Sequence, residues 1–295
     1  MRILPRVTRR RFLTMLGGAV ALGFYTWRVE PHWVEVVHLD MPIPNLPDHL
    51  VGKTLVQLSD LHIGPRVDSA FIQRSLRLVN DLRPDLVCIT GDFMTCNGGE
   101  QIDEVARVME SLAIPPMGCF AVLGNHDYGT RWMQSQVADR LVSRLADLGV
   151  ETLRNSSRLT DGLRVIGLDD LWSKRFNAAP VSADLASLTP SVVLSHNPDT
   201  ADLDAFAGYR GWILSGHTHG GQCKPPFLPA PILPVKNRRY TAGAFDLGDG
   251  RHLYINRALG YLQRVRFNVR PEITVFRLTV ARAGSDDVRG QQSSG

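Results

Sequence analysis

The 295-residue sequence is poor in cysteine: it contains four, and no two of them form a Cys-x-x-Cys pair. A zinc site held by paired thiolates is therefore not expected. Cys88 and Cys119 lie within apolar runs, where a free thiol packs as a small hydrophobic side chain. A disulfide is the alternative in an exported protein, and the sequence does not pair the cysteines.

A basic surplus is also missing from most of the chain. The formal net charge is +4, but positions 1–28 carry six arginines and no acidic residue, so subtracting these six charges leaves −2 for the remainder. A surface without excess positive charge attracts the phosphate backbone of DNA or RNA only weakly. We therefore expect no nucleic-acid partner. A hydrophobic content of 44% and a charged content of 21% are typical of a folded domain.

The N-terminus has the features of an export signal. Residues 8–13 read Thr-Arg-Arg-Arg-Phe-Leu and precede an apolar, glycine-rich run that ends at Trp27. Paired arginines before an apolar run are typical of the bacterial twin-arginine signal. We expect residues 1–28 to be such a signal or an anchor that engages the twin-arginine export machinery. The rest of the chain would then be periplasmic or at the outer face of the cytoplasmic membrane.

A plain membrane anchor or a basic tail is the alternative for this segment. The 16 residues from Phe12 to Trp27 are marginal for a spanning helix. Ala19-Val20-Ala21 resembles a cleavage site, but the apolar run continues past it. Cleaved and anchored forms both remain open.

Short apolar runs alternate with segments of helical periodicity between residues 29 and 280, which we interpret as one domain. Strands are predicted at residues 34–39 (an edge strand), 53–58, 85–90, 119–123, 163–168, 191–194 and 211–215. Helices are predicted from Asp68-Ser69 to Pro84, over 101–113, and from Val137 to Gly149. This alternation is typical of an α/β fold with parallel strand pairing.

The alternation of predicted strands and helices ends after residue 219. Residues 225–234 form a proline-rich apolar loop, and the segments 244–247 and 252–255 flank Gly248-Asp249-Gly250, a hairpin signal. A last strand is predicted at 272–280, so this antiparallel, α+β-like second half suggests a second sheet packed on the first. Residues 281–295 are polar and rich in glycine and serine, and we expect them to be disordered.

Metal-binding residue types follow five of the predicted strands directly. The motifs after the strands are, in order, Asp60-x-His62, Gly91-Asp92, Gly124-Asn125-His126-Asp127, His196-Asn197-Pro198-Asp199 and Gly216-His217-Thr218-His219. Sites in open α/β sheets form outside the carboxyl ends of the strands. The sequence therefore predicts a metal site assembled from distant parts of the chain.

The donor atoms favour particular ions and chemistry. Carboxylate, amide and imidazole groups without a thiolate favour Mn, Fe or Zn over a cysteine-held structural zinc. The carboxylate of Asp92 has two oxygens and can bridge two ions, and two divalent ions suit a phosphate and acidify a bound water. His126 stands beside Asn125, the position of a proton donor or transition-state stabiliser. Asp127 could orient His126 or cap a helix.

Each motif has an ordinary structural explanation when it is taken singly. Asp60 and Asp92 are suited to helix caps or turns, and a lone His196 is commonly a loop histidine that hydrogen-bonds locally. The recurrence at strand ends is what favours a site. His32, His38, His49 and His252 lack that context and are interpreted as structural.

The five motifs together resemble the signature of the calcineurin-like metallophosphoesterases, over roughly residues 33–280. His196-Asn197-Pro198-Asp199 and Arg270-Pro271-Glu272-Ile273 are similar to its membrane-associated bacterial branch of exported phosphodiesterase-like proteins. The resemblance implies a four-layer αββα sandwich of two mixed sheets and a dinuclear site. By carry-over, one metal takes Asp60, His62, Asp92 and His219, and the other takes Asp92, Asn125, His196 and His217.

The resemblance also implies a reaction: a hydroxide that bridges the metals attacks phosphorus, with Asp92 and His126 as the catalytic residues. We expect a monomeric phosphoesterase, more specifically a phosphodiesterase, acting on a lipid or another envelope phosphate ester. A non-catalytic, metal-containing binding module of the cell envelope is the alternative. A lactamase-like hydrolase is disfavoured because Gly220-Gly221 follows the His-x-His pair.

Two surface features are left open by the sequence. The apolar loop 225–234 follows the last metal motif and is expected to pack over the protein's own core, with contact to lipid or an acyl chain as the alternative. Candidate phosphate-binding cations are Arg66, Lys224, Arg238, Arg239 and Arg257.

Overall fold

The computed structural model describes residues 8–95 and 101–281. Cys96 and the predicted disordered tail, apart from Ala281, lie outside the described residues. A helical run from Arg9 to His32 begins the described chain: helix α1 (Arg9–Phe24) continues through a wider turn (Tyr25–Val29) and a 3-10 turn (Glu30–His32). By length and composition this run is able to cross a membrane, although a signal sequence has the same features.

Six strands of the described chain form the first sheet, in the order β1-β12-β2-β3-β4-β5. They are β1 (Glu35–Ile43), β2 (Thr54–Leu58), β3 (Leu86–Thr90), β4 (Cys119–Val122), β5 (Val150–Thr152) and β12 (Glu272–Val280). Strands β2 to β5 run parallel, and β12 lies antiparallel to β2 and parallel to β1. The predicted edge strand is confirmed as β1.

The second sheet has the order β10-β11-β9-β8-β7-β6. Its strands are β6 (Ser156–Thr160), β7 (Leu163–Leu168), β8 (Ser191–Ser195), β9 (Gly211–Ser215), β10 (Gly243–Asp246) and β11 (Arg251–Ile255). Strands β7, β8, β9 and β11 run parallel, and β6 and β10 are antiparallel at the two edges. Both sheets are therefore mixed.

Alternating side chains join the sheets into layers. Leu86 and Cys88 of β3 point into a core between the two sheets, whereas Val87 and Ile89 point into a core under the helices. Successive residues of a strand face opposite sides, so strands buried on both faces are apolar throughout. Helices α2 (Ser69–Asp81), α3 (Gln101–Met109) and α4 (Ser135–Asp147) cover the first sheet.

Short helical turns, with helix α5 (Ser182–Leu185) among them, cover the outer face of the second sheet through a third core. The result is helix, sheet, sheet, helix, which confirms the predicted four-layer α/β sandwich.

The predicted division of the strands between the sheets is wrong in one respect. The strands after residue 219 do not form a sheet of their own. Strands β10 and β11 extend the sheet that contains β7, β8 and β9, and β12 inserts between β1 and β2 of the first sheet. The alternation does not show which sheet a strand joins. Strands β5 and β6 were not predicted, since both are short and β6 is largely exposed and polar.

Candidate metal centre

The carboxyl ends of β2, β3, β4, β8 and β9 bring the predicted motifs together at one edge of the sandwich. Five of the seven predicted ligands have positive φ angles there: Asp60, His62, Asp92, His217 and His219. A side chain with a Cβ rarely adopts this conformation, and it persists only where surrounding contacts impose it. Such backbone strain, concentrated on polar residues at strand ends, is typical of a functional site.

The first cluster consists of Asp60, His62 and His219, all buried. The Nε2 atoms of the two histidines lie 3.0 Å apart. Asp60 Oδ1 lies 3.3 Å from Nε2 of His219 and 3.8 Å from Nε2 of His62. Three donor atoms from the loops after strands β2 and β9 thus face one small volume.

The second cluster consists of Asp92, His196 and His217, and it is buried as well. Nε2 of His196 lies 3.2 Å from Asp92 Oδ2 and 3.1 Å from Nδ1 of His217. The other ring nitrogen of His196 is 2.7 Å from the carbonyl of Thr90. Donation to that carbonyl would leave Nε2 free to bind a metal, the usual arrangement for a metal-binding histidine.

Asp92 connects the two clusters. Its Oδ2 atom, which faces His196, is also 3.6 Å from Nε2 of His62. The amide of Asn125 is buried at the same edge, and its Oδ1 has no hydrogen-bond partner among the described residues. The structure therefore brings the predicted carboxylates and imidazoles together in two adjoining groups.

These residues fit two metal ions. In the first cluster two ring nitrogens face each other across 3.0 Å, a geometry that suits a shared ligand. Among the described residues, ion pairs to Asp60 and Asp92 come from histidine alone. Buried carboxylates need compensating charge, and divalent cations supply it. The prediction of a two-metal site is confirmed to the extent that two candidate clusters exist.

The protonation equilibria of the metal-free site follow from burial and from the two carboxylates. Burial lowers the pKa of His62 and that of His217 to about 3, so both rings are neutral ligands. Burial also opposes the charge on His196, but Asp92 outweighs it and holds the His196 pKa well above its usual value. For Asp92, burial is outweighed by His196 and His126, which keep its pKa well below the usual range. His196 and Asp92 thus favour each other's charged form.

His126 differs from the metal-binding candidates because its side chain is only half-buried. Its ring centroid lies 5.1 Å from that of His62, and its backbone N–H donates to Asp92 Oδ1 across 2.9 Å. Its Nδ1 is 3.3 Å from the carbonyl of Thr95. The ring is therefore beside the clusters and open to a ligand.

Asp127 does not orient His126, contrary to one of the two predicted alternatives. It is buried and accepts hydrogen bonds from the backbone N–H groups of Asp92, Phe93, Met94 and Gly124. These bonds fasten the loop after β3 to the loop after β4. Asp127 thus fixes the backbone that carries Asp92 and Asn125.

Glycine is required where the loops approach each other. A Cβ at Gly216 would lie 1.8 Å from Ser59 Oγ and 2.3 Å from Asp60 Oδ2. Ser59 Oγ donates to the same carboxylate oxygen across 2.5 Å, and the backbone N–H of His217 donates to it across 3.0 Å. The glycine that precedes His-x-His therefore makes room for the carboxylate of the first cluster.

Two tryptophans beside the clusters were not predicted from the sequence. Trp132 and Trp172 pack against each other with ring centroids 5.1 Å apart. The Trp172 ring is 4.4 Å from His217, and the Trp132 ring is 6.1 Å from His126. Both lie in loops without periodicity, so no signal in the sequence placed them here. They form an aromatic wall at the site.

Arg266 was also missed, and it supports the site from behind. Its buried guanidinium donates to the carbonyls of Arg257, Ala258, Gly260 and Val269. Gly260 in turn donates its N–H to the carbonyl of Asp60 across 2.8 Å. Burial lowers the pKa of Arg266 to about 10. A buried arginine this far from the motifs cannot be recognised from the sequence.

The surface predictions had mixed outcomes. Arg257 is paired with Glu272 and Glu35, so it does not serve as a free phosphate-binding cation. Arg66 and Arg238 donate to backbone carbonyls. The expected burial of the apolar loop is wrong for its tip, because Phe227, Leu228 and Ile232 are exposed. Cys88, Cys119 and Cys223 are free thiols.

Comparison with known proteins agrees with this geometry. The calcineurin-like phosphoesterase family matches residues 53–221, which contain all five motifs. The UDP-2,3-diacylglucosamine pyrophosphatase LpxG of Chlamydia trachomatis is 30% identical, over 90% of this chain and 95% of its own. The phosphodiesterase YaeI of Escherichia coli is 31% identical, over 92% of this chain and 99% of its own. The metallophosphoesterase YkuE of Bacillus subtilis, which is uncharacterized, is 30% identical over 93% and 99%.

The family match covers more than half of the chain, and the relatives align along almost all of it. The predicted resemblance and the predicted enzyme class are therefore confirmed, and a purely non-catalytic role is disfavoured. The chain belongs to the calcineurin-like phosphoesterase family and is a phosphoric ester hydrolase with two candidate metal-binding clusters.

Proposed function

We propose that the protein is a dinuclear phosphodiesterase that cleaves an envelope phosphate ester at the outer face of the cytoplasmic membrane. The observation that carries the proposal is the position of Asp92, whose Oδ2 faces His62 of one cluster and His196 of the other. A carboxylate in this place can hold two cations side by side, which is the arrangement that suits displacement at a phosphate.

The ligand assignment follows the two clusters. One ion would be held by Asp60, His62, Asp92 and His219, and its neighbour by Asp92, Asn125, His196 and His217. The set is oxygen and nitrogen only, so Mn, Fe or Zn is expected. When bound, the two ions neutralise phosphate charge and lower the pKa of water at the site.

His126 is proposed to donate a proton to the leaving oxygen or to hydrogen-bond the developing charge. Three features support this role: the ring is half-buried, it lies 5.1 Å from that of His62, and its Nδ1 faces the Thr95 carbonyl. Donation from Nδ1 to that carbonyl would turn Nε2 away from Thr95. A histidine oriented by one nitrogen can act with the other.

The substrate class is inferred from the relatives and from the site. LpxG is named as a pyrophosphatase of a diacylated sugar nucleotide and YaeI as a phosphodiesterase, and both activities break a bond between oxygen and a doubly substituted phosphorus. The Trp132–Trp172 wall beside the clusters supports a substrate with an apolar or planar group next to the phosphate. A diester or diphosphate of an acyl-bearing envelope compound has these features.

The location rests on the N-terminal segment. The helical run from Arg9 to His32 follows the paired arginines and is apolar enough for a signal or an anchor. Export by the twin-arginine route with the domain outside would place a monomeric enzyme beside envelope substrates.

The test is a substrate and metal panel on the full chain. Metal-stripped protein receives Mn, Fe, Zn or Mg and is assayed with bis-p-nitrophenyl phosphate, p-nitrophenyl phosphate and UDP-2,3-diacylglucosamine. We expect metal-dependent turnover of the diester or the diphosphate, and much slower turnover of the monoester. Faster monoester hydrolysis, or no hydrolysis with any metal, would overturn the proposal.

A further inference from the structure

The loop that follows the last metal motif has an exposed apolar tip. We define the tip as Phe227, Leu228 and Ile232; the side chain of Phe227 is fully exposed, and that of Ile232 is 78% exposed. Soluble surfaces carry scattered apolar residues, but three large ones within six positions form a patch that calls for a partner.

The base of the loop packs against the domain, so the tip has a defined position on the surface. Ala230 and Leu233 are buried, and the guanidinium of Arg238 donates to the carbonyls of Ala230 and Pro231 across 3.3 Å each. A Cβ at Gly221 would lie 2.2 Å from that of Ala230, so the loop packs directly against the His219-Gly220-Gly221 turn.

A short segment joins this loop to the end of the N-terminal helical run. The backbone N–H of Arg266 donates to the carbonyl of Thr26 across 2.9 Å. The next residue, Phe267, bonds on its other side to Gln222 and Lys224, at the start of the loop. Arg266 and Phe267 therefore lie between the helix end and the start of the loop and are hydrogen-bonded to both.

The helix end is also held firmly on the domain. Glu30 is buried and accepts a hydrogen bond from the N–H of Val269. The ring of His32 packs edge-on against Phe71, with centroids 5.0 Å apart. The domain therefore keeps a defined orientation relative to the helix that leads away from it.

The residues around the helix end have the composition of a membrane interface. The Trp27 ring is exposed and is contacted by the guanidinium groups of Arg28 and Arg264, at 4.7 and 5.8 Å. Tryptophan and arginine together are typical of the headgroup region, where an amphipathic ring and a cation both find partners. The segment that carries Arg264 also carries Phe267, which is hydrogen-bonded to Gln222 and Lys224 at the start of the apolar loop.

From this arrangement we propose that the tip of the loop is a second membrane contact, which inserts into the bilayer surface beside the N-terminal helix. The contact would place the opening of the metal centre at the headgroup level. A substrate whose acyl chains remain in the bilayer could then present its phosphate to the clusters. The membrane contact itself does not depend on the proposed reaction.

The test uses the full chain reconstituted in vesicles of phosphatidylethanolamine and phosphatidylglycerol, with and without brominated acyl chains. The variant Phe227→Trp adds an indole at the tip, and its fluorescence is obtained by difference from the wild type. The matched control is Leu188→Trp. Leu188 is 84% exposed and precedes β8, at the opposite end of that strand from His196.

We expect bromolipid to quench most of the fluorescence added at position 227 and little of that added at 188. Equal quenching at the two positions, or none at 227, would overturn the proposal. Protection of position 227 by a second copy of the chain would also overturn it, and would appear as a blue shift without bromine quenching together with dimers in detergent.

A second variant connects the contact to turnover. Phe227→Asp should leave hydrolysis of water-soluble bis-p-nitrophenyl phosphate unchanged, because Phe227 belongs to neither cluster. Hydrolysis of hexadecyl p-nitrophenyl phosphate in vesicles should fall severalfold. A parallel loss on both substrates would contradict the surface role. If neither substrate is hydrolysed by the wild type, the proposed reaction fails, while the quenching result still decides the membrane contact.

Discussion

The metal centre and the apolar loop are neighbours in the sequence, and both depart from the usual pattern of burial. The metal centre buries charged side chains, whereas the loop exposes apolar ones. Asp60 and Asp92 are buried at the centre, whereas Phe227, a few residues past His219, is fully exposed. Buried charge and exposed apolar surface both carry a free-energy cost unless a partner is present. The contrast indicates that folding alone does not explain either region, and that each is shaped for something that the chain binds.

The largest expected effect is at the carboxylate shared by the two clusters. Asp92→Ala should reduce turnover of bis-p-nitrophenyl phosphate by well over the ~100-fold that outer partners of metal sites typically contribute. The control is Asp85→Ala, at the other end of β3, where the carboxylate accepts from Lys53 Nζ and the Thr54 N–H. That variant should lose stability but keep its activity per folded molecule. Similar activity losses in both variants would contradict a special role for Asp92.

His126 should matter for turnover and not for metal content. His126→Ala is expected to lower kcat by ~10²–10⁴-fold, the usual contribution of a proton donor, while both metals stay bound. His38→Ala, at an exposed position on β1, is the matched control and should change neither. Loss of metal from the His126 variant would mean that this residue is a ligand.

The close packing of Gly216 against the first cluster can be tested by adding one methyl group at that position. Gly216→Ala would place a Cβ against Ser59 Oγ and Asp60 Oδ2. We expect a loss of ~1–3 kcal/mol in the free energy of unfolding, typical of overpacking, together with weaker metal binding. Gly23→Ala, where an added Cβ meets no atom within 4 Å, should leave thermal unfolding nearly unchanged. A Gly216 variant as stable as wild type would show that the turn can relax.

The smallest effect is a dependence of metal affinity on pH. In the metal-free site the attraction of Asp92 overcomes burial and holds the His196 pKa well above its usual value, so the ring is protonated at neutral pH. A bound cation must displace that proton. Affinity should therefore rise with pH up to that pKa, by about tenfold per unit for each displaced proton. Calorimetry in two buffers of different ionisation enthalpy measures the release; the absence of release would contradict the protonated state.

Much of the fold and the site could be predicted because local patterns decided them. Strands β7 and β12 have the predicted bounds, and helix α2 begins after Asp68, as predicted, where the Asp68 side chain caps it. The metal-binding motifs follow strand ends, and parallel strands end at one edge, so their convergence follows from topology.

The remainder depended on contacts between distant residues. No local signal shows that β12 inserts between β1 and β2, or that Arg266 supports the backbone of Asp60. The role of Asp127 was uncertain in the sequence because a carboxylate after a strand has several possible partners. Phe227 was predicted to be buried because burial is the usual state of an apolar run, and the structure shows that it is exposed.

The number of metal ions per chain shows whether Asp92 joins two metal sites. Full-length protein is stripped, reconstituted with Mn or Zn, freed of excess ion and analysed for metal per chain. We expect two equivalents for the wild type, one after His219→Ala or His196→Ala, and less than one after Asp92→Ala. A single equivalent in the wild type, or two in the Asp92 variant, would contradict a centre in which one carboxylate joins two metal sites.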